Sequence, residues 1–426
     1  MFNLKKYKFS DIYAMSSGIS SKSEQYGHGG PFLSFSTVFN NYFLPDSLNE
    51  LMNSSERDKK IYSIKKGDIF LTRTSETINE LGMSSVAIKD YPNATFSGFV
   101  KRLRPISENI TYDKYIGFYL RSKFFRKTMT CNAVMTLRAS LNEEIFSYLH
   151  LYLPEYNEQK KIGDFLFNLN SKISNNQKIN NELEAIAKTI YNYWFVQFDF
   201  PDKNGNPYKS SGGEMIWSKE LSKHVPKDWN IDKMNGRVKI GSGYPFDSSS
   251  YFENGTYKII TIKNVQEMNL DSRNSVCIND IPENTPDYCK LALGDILISL
   301  TGNVGRTCLV SESNLLLNQR VGKILCDKIY MNYLYLYFQR KEVKTQLENI
   351  STGSSQKNLS PVDVVNSYIL FPPETVLNSY NVCIDKIIKK IILNNQENKT
   401  LISIREDTLP MLMNGQIMIC EKNHEK

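Results

Sequence analysis

Apolar residues recur at heptad spacing through Ile162, Leu166, Leu169 and Ile173, give way to Asn176 and Asn180, and resume at Leu183, Ala187, Ile190 and Trp194. This is the seam of a long amphipathic helix with a polar centre. Pro154 suits a first helical turn, Glu155 and Glu158 complement the positive end of the dipole, and neither Pro nor Gly follows Gly163 before Pro201. A second stretch repeats the seam through Ile388, Ile392, Asn395, Lys399, Ile402 and Leu409, less cleanly because Lys399 and Glu406 fall on seam positions. Asn176 and Asn395 occupy matching points. A buried Asn in a seam costs stability but fixes register and orientation, so both are expected to set the helix register.

Ahead of each helix the pattern shortens into β-rich segments punctuated by Gly, Pro and Asn. Lys65-Lys66-Gly67-Asp68-Ile69-Phe70-Leu71 and Ala292-Leu293-Gly294-Asp295-Ile296-Leu297-Ile298 are each a Gly-Asp turn opening into a strand. Both Asp residues are expected to bond the local backbone of the turn. Pro154-Glu155 matches Pro373-Glu374 and Asn175-Asn176-Gln177 matches Asn394-Asn395-Gln396, both 219 residues apart. Ser17-Gly18-Ile19 parallels Ser242-Gly243-Tyr244, and Asp113–Lys127 parallels Tyr330–Lys344. The chain is therefore read as an internal repeat of globule plus helix.

The expected organisation is a globule over 1–153, a helix over 154–198, a turn-rich connector over 199–229, a second globule over 230–372, a second helix over 373–414 and a polar, frayed tail over 415–426. The class is α+β: two mixed α/β domains joined by two long helices. Pseudo-twofold symmetry requires those helices to run antiparallel as a coiled coil. A helix over 158–195 would be about 57 Å long, enough to space sites one to two turns of duplex apart.

With 426 residues, 41% of them hydrophobic and 23% charged, the chain can bury real cores. Its net charge is +7, of which residues 1–154 carry +6 and residues 155–200 carry −1. The basic excess thus sits in the globules, as expected if they touch a polyanion while the helices touch protein. No apolar run approaches the roughly 20 residues of a membrane span, and the N-terminus opens no signal-peptide core. The seven Cys are scattered without a CxxC, and His28, His150, His224 and His424 form no metal motif. These features point to a reduced, cytoplasmic setting.

No catalytic constellation stands out. There is no Walker A motif, and Gly241-Ser242-Gly243 is followed by Tyr244-Pro245-Phe246, which opens no dinucleotide helix. Asn206-Pro207-Tyr208 is a weak echo of the Asn-Pro-Pro-Tyr loop of amino-methyltransferases, without the second Pro or a glycine-rich strand upstream. What remains is polar, basic loops at matching places in both copies. One follows the Gly-Asp strand: Arg73, Thr74 and Ser75, against Asn303 and Arg306. Another precedes the helix: Arg138, Ser140 and Asn142, against Gln356, Lys357 and Asn358. Tyr244 marks a third. Gln319 and Arg320 form a further donor cluster, with Arg102 and Arg104 as its expected counterpart in the first copy. Arg reads guanine, Asn and Gln read adenine, and Lys, Ser and Thr anchor phosphate, so the group is expected to contact double-stranded DNA.

The helix entry Leu153-Pro154-Glu155-Tyr156-Asn157-Glu158-Gln159, the exit Trp194-Phe195-Val196-Gln197-Phe198-Asp199-Phe200-Pro201 and the connector Tyr208-Lys209-Ser210-Ser211-Gly212-Gly213-Glu214 closely resemble the specificity subunit of type I restriction-modification systems. The resemblance spans essentially the whole chain, although Pro372-Pro373-Glu374-Thr375 departs from the pattern at the second helix. It implies two target recognition domains that read the halves of a split DNA sequence, and helices that space them and dock two modification subunits. It also implies a chain that is not itself an enzyme and carries no cofactor. S-adenosylmethionine would belong to the modification subunits, and ATP and Mg to two restriction subunits where those are present. The competing readings are a self-contained DNA methyltransferase or nuclease, and a coiled-coil adaptor without DNA.

Overall fold

Gly67 and Gly294 adopt φ of +84° and +86°, a backbone conformation open to Gly at little cost. The Asp that follows each closes the turn: Asp68 accepts from the Lys65 amide and Asp295 from the Ala292 amide, both at 2.7 Å. The strands that emerge, Ile69–Thr72 and Ile296–Ser299, are buried throughout. Each Asp also receives a cation from the neighbouring strand, Arg104 on Asp68 and Lys323 on Asp295, both at 2.6 Å. The turn and the strand pair are thus locked by the same carboxylate in both copies.

The computed structural model describes residues 4–20, 22–75, 80–131, 134–135, 139–140, 146, 148–353 and 356–419. It divides into two units, one of residues 1–173 with 400–426 and one of residues 174–399. In the first, an antiparallel sheet has the order Tyr13–Ser17, Val100–Pro105, Ile69–Thr72, Ser84–Val86. In the second, the same order holds for Val238–Ser242, Val321–Cys326, Ile296–Ser299 and Thr307–Leu309. A smaller sheet with one parallel pairing accompanies each: Tyr26–Leu33 beside Thr95–Phe96, and Tyr257–Ile260 beside Leu315–Leu317. The helices Asp113–Tyr119 and Lys123–Cys131 of the first unit correspond to Met331–Phe338 and Lys341–Ile350 of the second.

Glycine marks one further shared point. Gly18 donates to the Val100 carbonyl and Gly243 to the Val321 carbonyl, and a Cβ on either would lie 2.1 or 2.2 Å from the carbonyl oxygen of Ser97 or Asn318. The parallel between Ser17-Gly18-Ile19 and Ser242-Gly243-Tyr244 is therefore one of backbone geometry.

The long helices are Tyr156–Tyr191 and Glu374–Met413. Within the second unit Asn176 donates to Glu397 (2.7 Å) and Asn398 (3.0 Å), while Asn180 donates to Asn395 (2.7 Å) and accepts from Asn394 (2.8 Å). As one residue number rises its partner's falls, so the two segments run antiparallel. Within the first unit Arg405 donates to Asn170 (2.9 Å), and Leu409 and Leu412 join Ile162 and Leu166 in one core.

The second helix differs from expectation by one residue. Asn394, Asn398 and Arg405 are buried, while Lys399 is half-exposed on Glu312 and Glu406 faces solvent. The matching Asn-Asn-Gln strings suggest an offset of 219, but packing pairs Asn176 with Asn394 and Asn180 with Asn398 as equivalents, an offset of 218. Burial of a face decides equivalence, and Asn395 is only half-buried at the edge of the polar layer.

The connector is more ordered than its turn-rich composition suggests. Met215–Ser218 and Lys223–Pro226 form an antiparallel hairpin, because Ile216 and Trp217 can pair with Val225 and His224 once Ser222 turns the chain at φ +49°. The tail also departs from expectation up to residue 419: Ile417 and Ile419 pack against the first unit's core.

Candidate nucleic-acid interface

In the second unit three loops converge where the strand Ile296–Ser299 ends. The Leu300 amide donates to the Arg320 carbonyl (3.2 Å), the Leu359 amide donates to the Leu300 carbonyl (2.8 Å), and the Gly302 amide donates to the Lys357 carbonyl (2.9 Å). Thr301 bridges Asn358, which also pairs with Thr352. Backbone bonding thus gathers Asn303, Gln319, Arg320, Gln356, Lys357 and Asn358, all exposed, on one rim. Lys357 reaches Glu348 at 3.6 Å, an exposed pair that holds it weakly.

Two expected residues are placed otherwise. Arg306 is half-buried and donates to Gln266 (3.0 Å), so part of its hydrogen-bonding fork is committed within the fold. Tyr244 is half-buried with its ring edge-on to Phe246 at 5.0 Å, between two small cores. Its backbone still abuts the rim, because its amide donates to the Leu317 carbonyl beside the 318–320 turn.

The first unit shares two of these connections. Thr74–Ser75 pairs with Ala139–Ser140, in the register Thr74 with Ser140. This matches the bridge between Thr301 and Asn358. The Arg73 amide donates to the Phe99 carbonyl (2.9 Å), as Leu300 does to Arg320. Arg73 is exposed and Thr74 half-buried; Ser75 and Ser140 are placed by their backbone alone, and Arg138 and Asn142 lie outside the described residues.

Arg102 and Arg104 are not the counterparts of Gln319 and Arg320. Arg102 is buried, donates to the carbonyls of Ile61 and Ser63 and lies over the Phe96 ring. Arg104 is committed to Asp68. Both sit on a core strand whose inner face must neutralise Asp68, so neither is free for a ligand. The true counterpart of Asn318-Gln319-Arg320 is the turn Ser97-Gly98-Phe99. Val100 closes it on the Ser97 carbonyl as Val321 closes the other on Asn318, both at 2.9 Å. Only the backbone is shared, so residue matching could not find it.

Among the described residues no group of three His, Cys, Asp or Glu side chains could hold a metal, and no helix is long and apolar enough to cross a membrane. Both long helices keep exposed apolar residues within the second unit, Ile179 and Ile186 on one, Val382 and Leu393 on the other. Spacings of seven and eleven residues return to nearly the same helical face.

The model of the type I restriction modification DNA specificity domain matches residues 3–185 and again residues 226–403. The chain belongs to this family. The double match of the specificity domain reproduces the repeat seen in the sheets and rims. Family relatives include the MjaIX specificity subunit of Methanocaldococcus jannaschii, 26% identical over 99% of this chain and 94% of the relative, and the HindI specificity subunit of Haemophilus influenzae, 22% identical over 91% and 94%. Among solved structures, the S subunit of a type I restriction-modification system from M. genitalium shares the fold, with a TM-score of 0.60, 13% identity and coverage of 99% and 97%.

Proposed function

We propose that this chain is the DNA-reading specificity subunit of a type I restriction-modification complex, without catalysis of its own. Each unit reads one half of a split double-stranded target through the rim at the end of its Gly-Asp strand. The observation that carries this reading is that rim: a strand-end amide bond and a cross-strand pairing, each made in both units, present different side chains. One scaffold with two sets of donors is what two unlike half-sites require. The proposed domain limits follow the sequence: recognition domains over 1–153 and 230–372, spacer helices over 154–198 and 373–414, and the connector 199–229 between them. The exposed apolar positions on both helices suit the docking of two modification subunits, which would bring S-adenosylmethionine. Restriction subunits, where present, would bring ATP and Mg, and the assembly would work in the cytoplasm on chromosomal and incoming DNA.

The test is to express the chain with its modification subunit and map methylated adenines genome-wide. A split motif with a fixed gap is expected. Replacing Arg320 and Lys357 by Ala should relax one half of the motif and leave the other half and the gap intact. Affinity of the complex should fall by about 0.9 log units per log unit of salt for each phosphate contacted. An undivided motif, or saturable binding of S-adenosylmethionine by the isolated chain, would overturn the reading.

A further inference from the structure

Phe99 is 63% exposed, although its backbone is bonded on both sides. Its carbonyl accepts from Arg73 (2.9 Å), its amide donates to the Ser97 hydroxyl (3.2 Å), and the residues on either side are bonded to Ile19 and Ser97. The backbone of the turn is thus fixed, and the ring it carries stands in solvent. An isolated exposed apolar residue is ordinary on a protein surface. This one stands at the backbone position that Arg320 occupies on the other rim, beside the exposed Arg73.

The Gly-Asp turn, its ion pair, the Gly18 and Gly243 contacts and the strand order recur in both units, whereas this turn carries Phe in one and Arg in the other. The change exchanges a charged hydrogen-bonding fork for an apolar plate at a fixed point. On duplex DNA those two groups have different complements. Arg bonds the O6 and N7 of guanine, and an aromatic ring packs on the 5-methyl group of thymine.

From this we infer that Phe99 is a specificity-determining residue of the first unit, and that it reads a thymine methyl group in the major groove where Arg320 of the second unit reads guanine. The inference rests on the DNA-reading function proposed above and adds the base class and the atom recognised. Water excluded from one methyl group against the ring gives about a fourfold preference for thymine over uracil, which lacks only that methyl.

The experiment uses the assembled methylation complex and duplexes carrying its mapped motif, with each thymine of either half replaced in turn by uracil. Variants of Arg320 identify which half belongs to the second unit. For the parent protein one uracil in the first unit's half should weaken binding about fourfold, and uracils in the other half should not. Phe99→Ala should lose the response to that uracil, Phe99→Leu should keep part of it, and Phe99→Arg should shift the methylated motif toward guanine at the same position. A first half that contains no thymine on either strand overturns the inference. So does a flat uracil scan, or a response that survives in Phe99→Ala. A side chain acting as an intercalating wedge would give that flat scan together with weakened binding by Phe99→Ala. None of these outcomes disturbs the proposed function, which fails on an undivided motif or on saturable binding of S-adenosylmethionine by the isolated chain.

Discussion

The polar layer in the helix seam should show strong coupling between its members. Asn180 and Asn394 are nearly inaccessible to solvent, and the Asn394 amide donates to Asn180 at 2.8 Å. Replacing Asn180 by Leu leaves that amide buried without an acceptor, a cost of about 1–3 kcal/mol. Asn395 also loses its donor, but it is half-buried and water can replace the bond. Replacing both Asn180 and Asn394 by Leu removes donor and acceptor together and leaves an apolar contact, so the double variant should match or exceed the parent in stability. The coupling in the double-mutant cycle should thus be at least about 1–3 kcal/mol, because Asn394→Leu adds whatever it costs to leave the Asn180 oxygen without its donor, with the pair more stable than the singles imply. Urea unfolding of the four proteins, followed by helical circular dichroism at constant slope, measures it. If the singles add to the double within about 0.5 kcal/mol, the amides are not a closed hydrogen-bonded pair and the account of register fails.

Burial, with Glu267 nearby, pushes the Glu184 carboxyl up to about 7. An acid that keeps its proton in the fold but releases it near 4.5 when unfolded stabilises the protein at low pH, and this contribution is lost as pH rises from about 4.5 to 7. Glu184→Gln should therefore raise the melting temperature at pH 8 and leave it nearly unchanged at pH 4; parallel melting curves for parent and variant across this range would exclude the assignment. Gly18→Ala and Gly243→Ala each drive a Cβ into a backbone oxygen that belongs to a pinned turn. Each should cost about 2 kcal/mol or more in denaturant unfolding and impair only its own half-site in a methylation map; wild-type stability in either variant would show that the turn yields.

The parts that were legible in sequence are those set by local chemistry. Gly67-Asp68 and Gly294-Asp295 announce turns because the backbone needs a positive φ and an acceptor there, and the first helix seam is visible because its buried positions are apolar or Asn. The second seam lies one residue away from where its matching Asn-Asn-Gln string places it, because packing selects Asn394 and Asn398 for the face they occupy. Arg102 and Arg104 looked like a reading pair; only the sheet register shows that Arg104 neutralises Asp68 beneath it. The equivalence of Phe99 with Arg320 is invisible in the sequence because it lies in amide and carbonyl positions, which leave no trace in side-chain identity.

The exit of the first long helix ends in a π-helical turn over Asn192–Val196, followed by Phe198 at φ +66°, a conformation unusual for a residue with a bulky side chain. What holds it there arrives much later in the chain: Phe198 meets Trp229, and Phe195 meets Tyr333 and Tyr380 with ring centroids 4.9 and 4.7 Å apart. During synthesis this aromatic cluster therefore stays open until residue 380 has emerged from the ribosome. At about 5–20 residues per second, that leaves roughly ten seconds or more in which Trp194 and Phe195 lack Tyr380 and are open to chaperones or to another nascent chain.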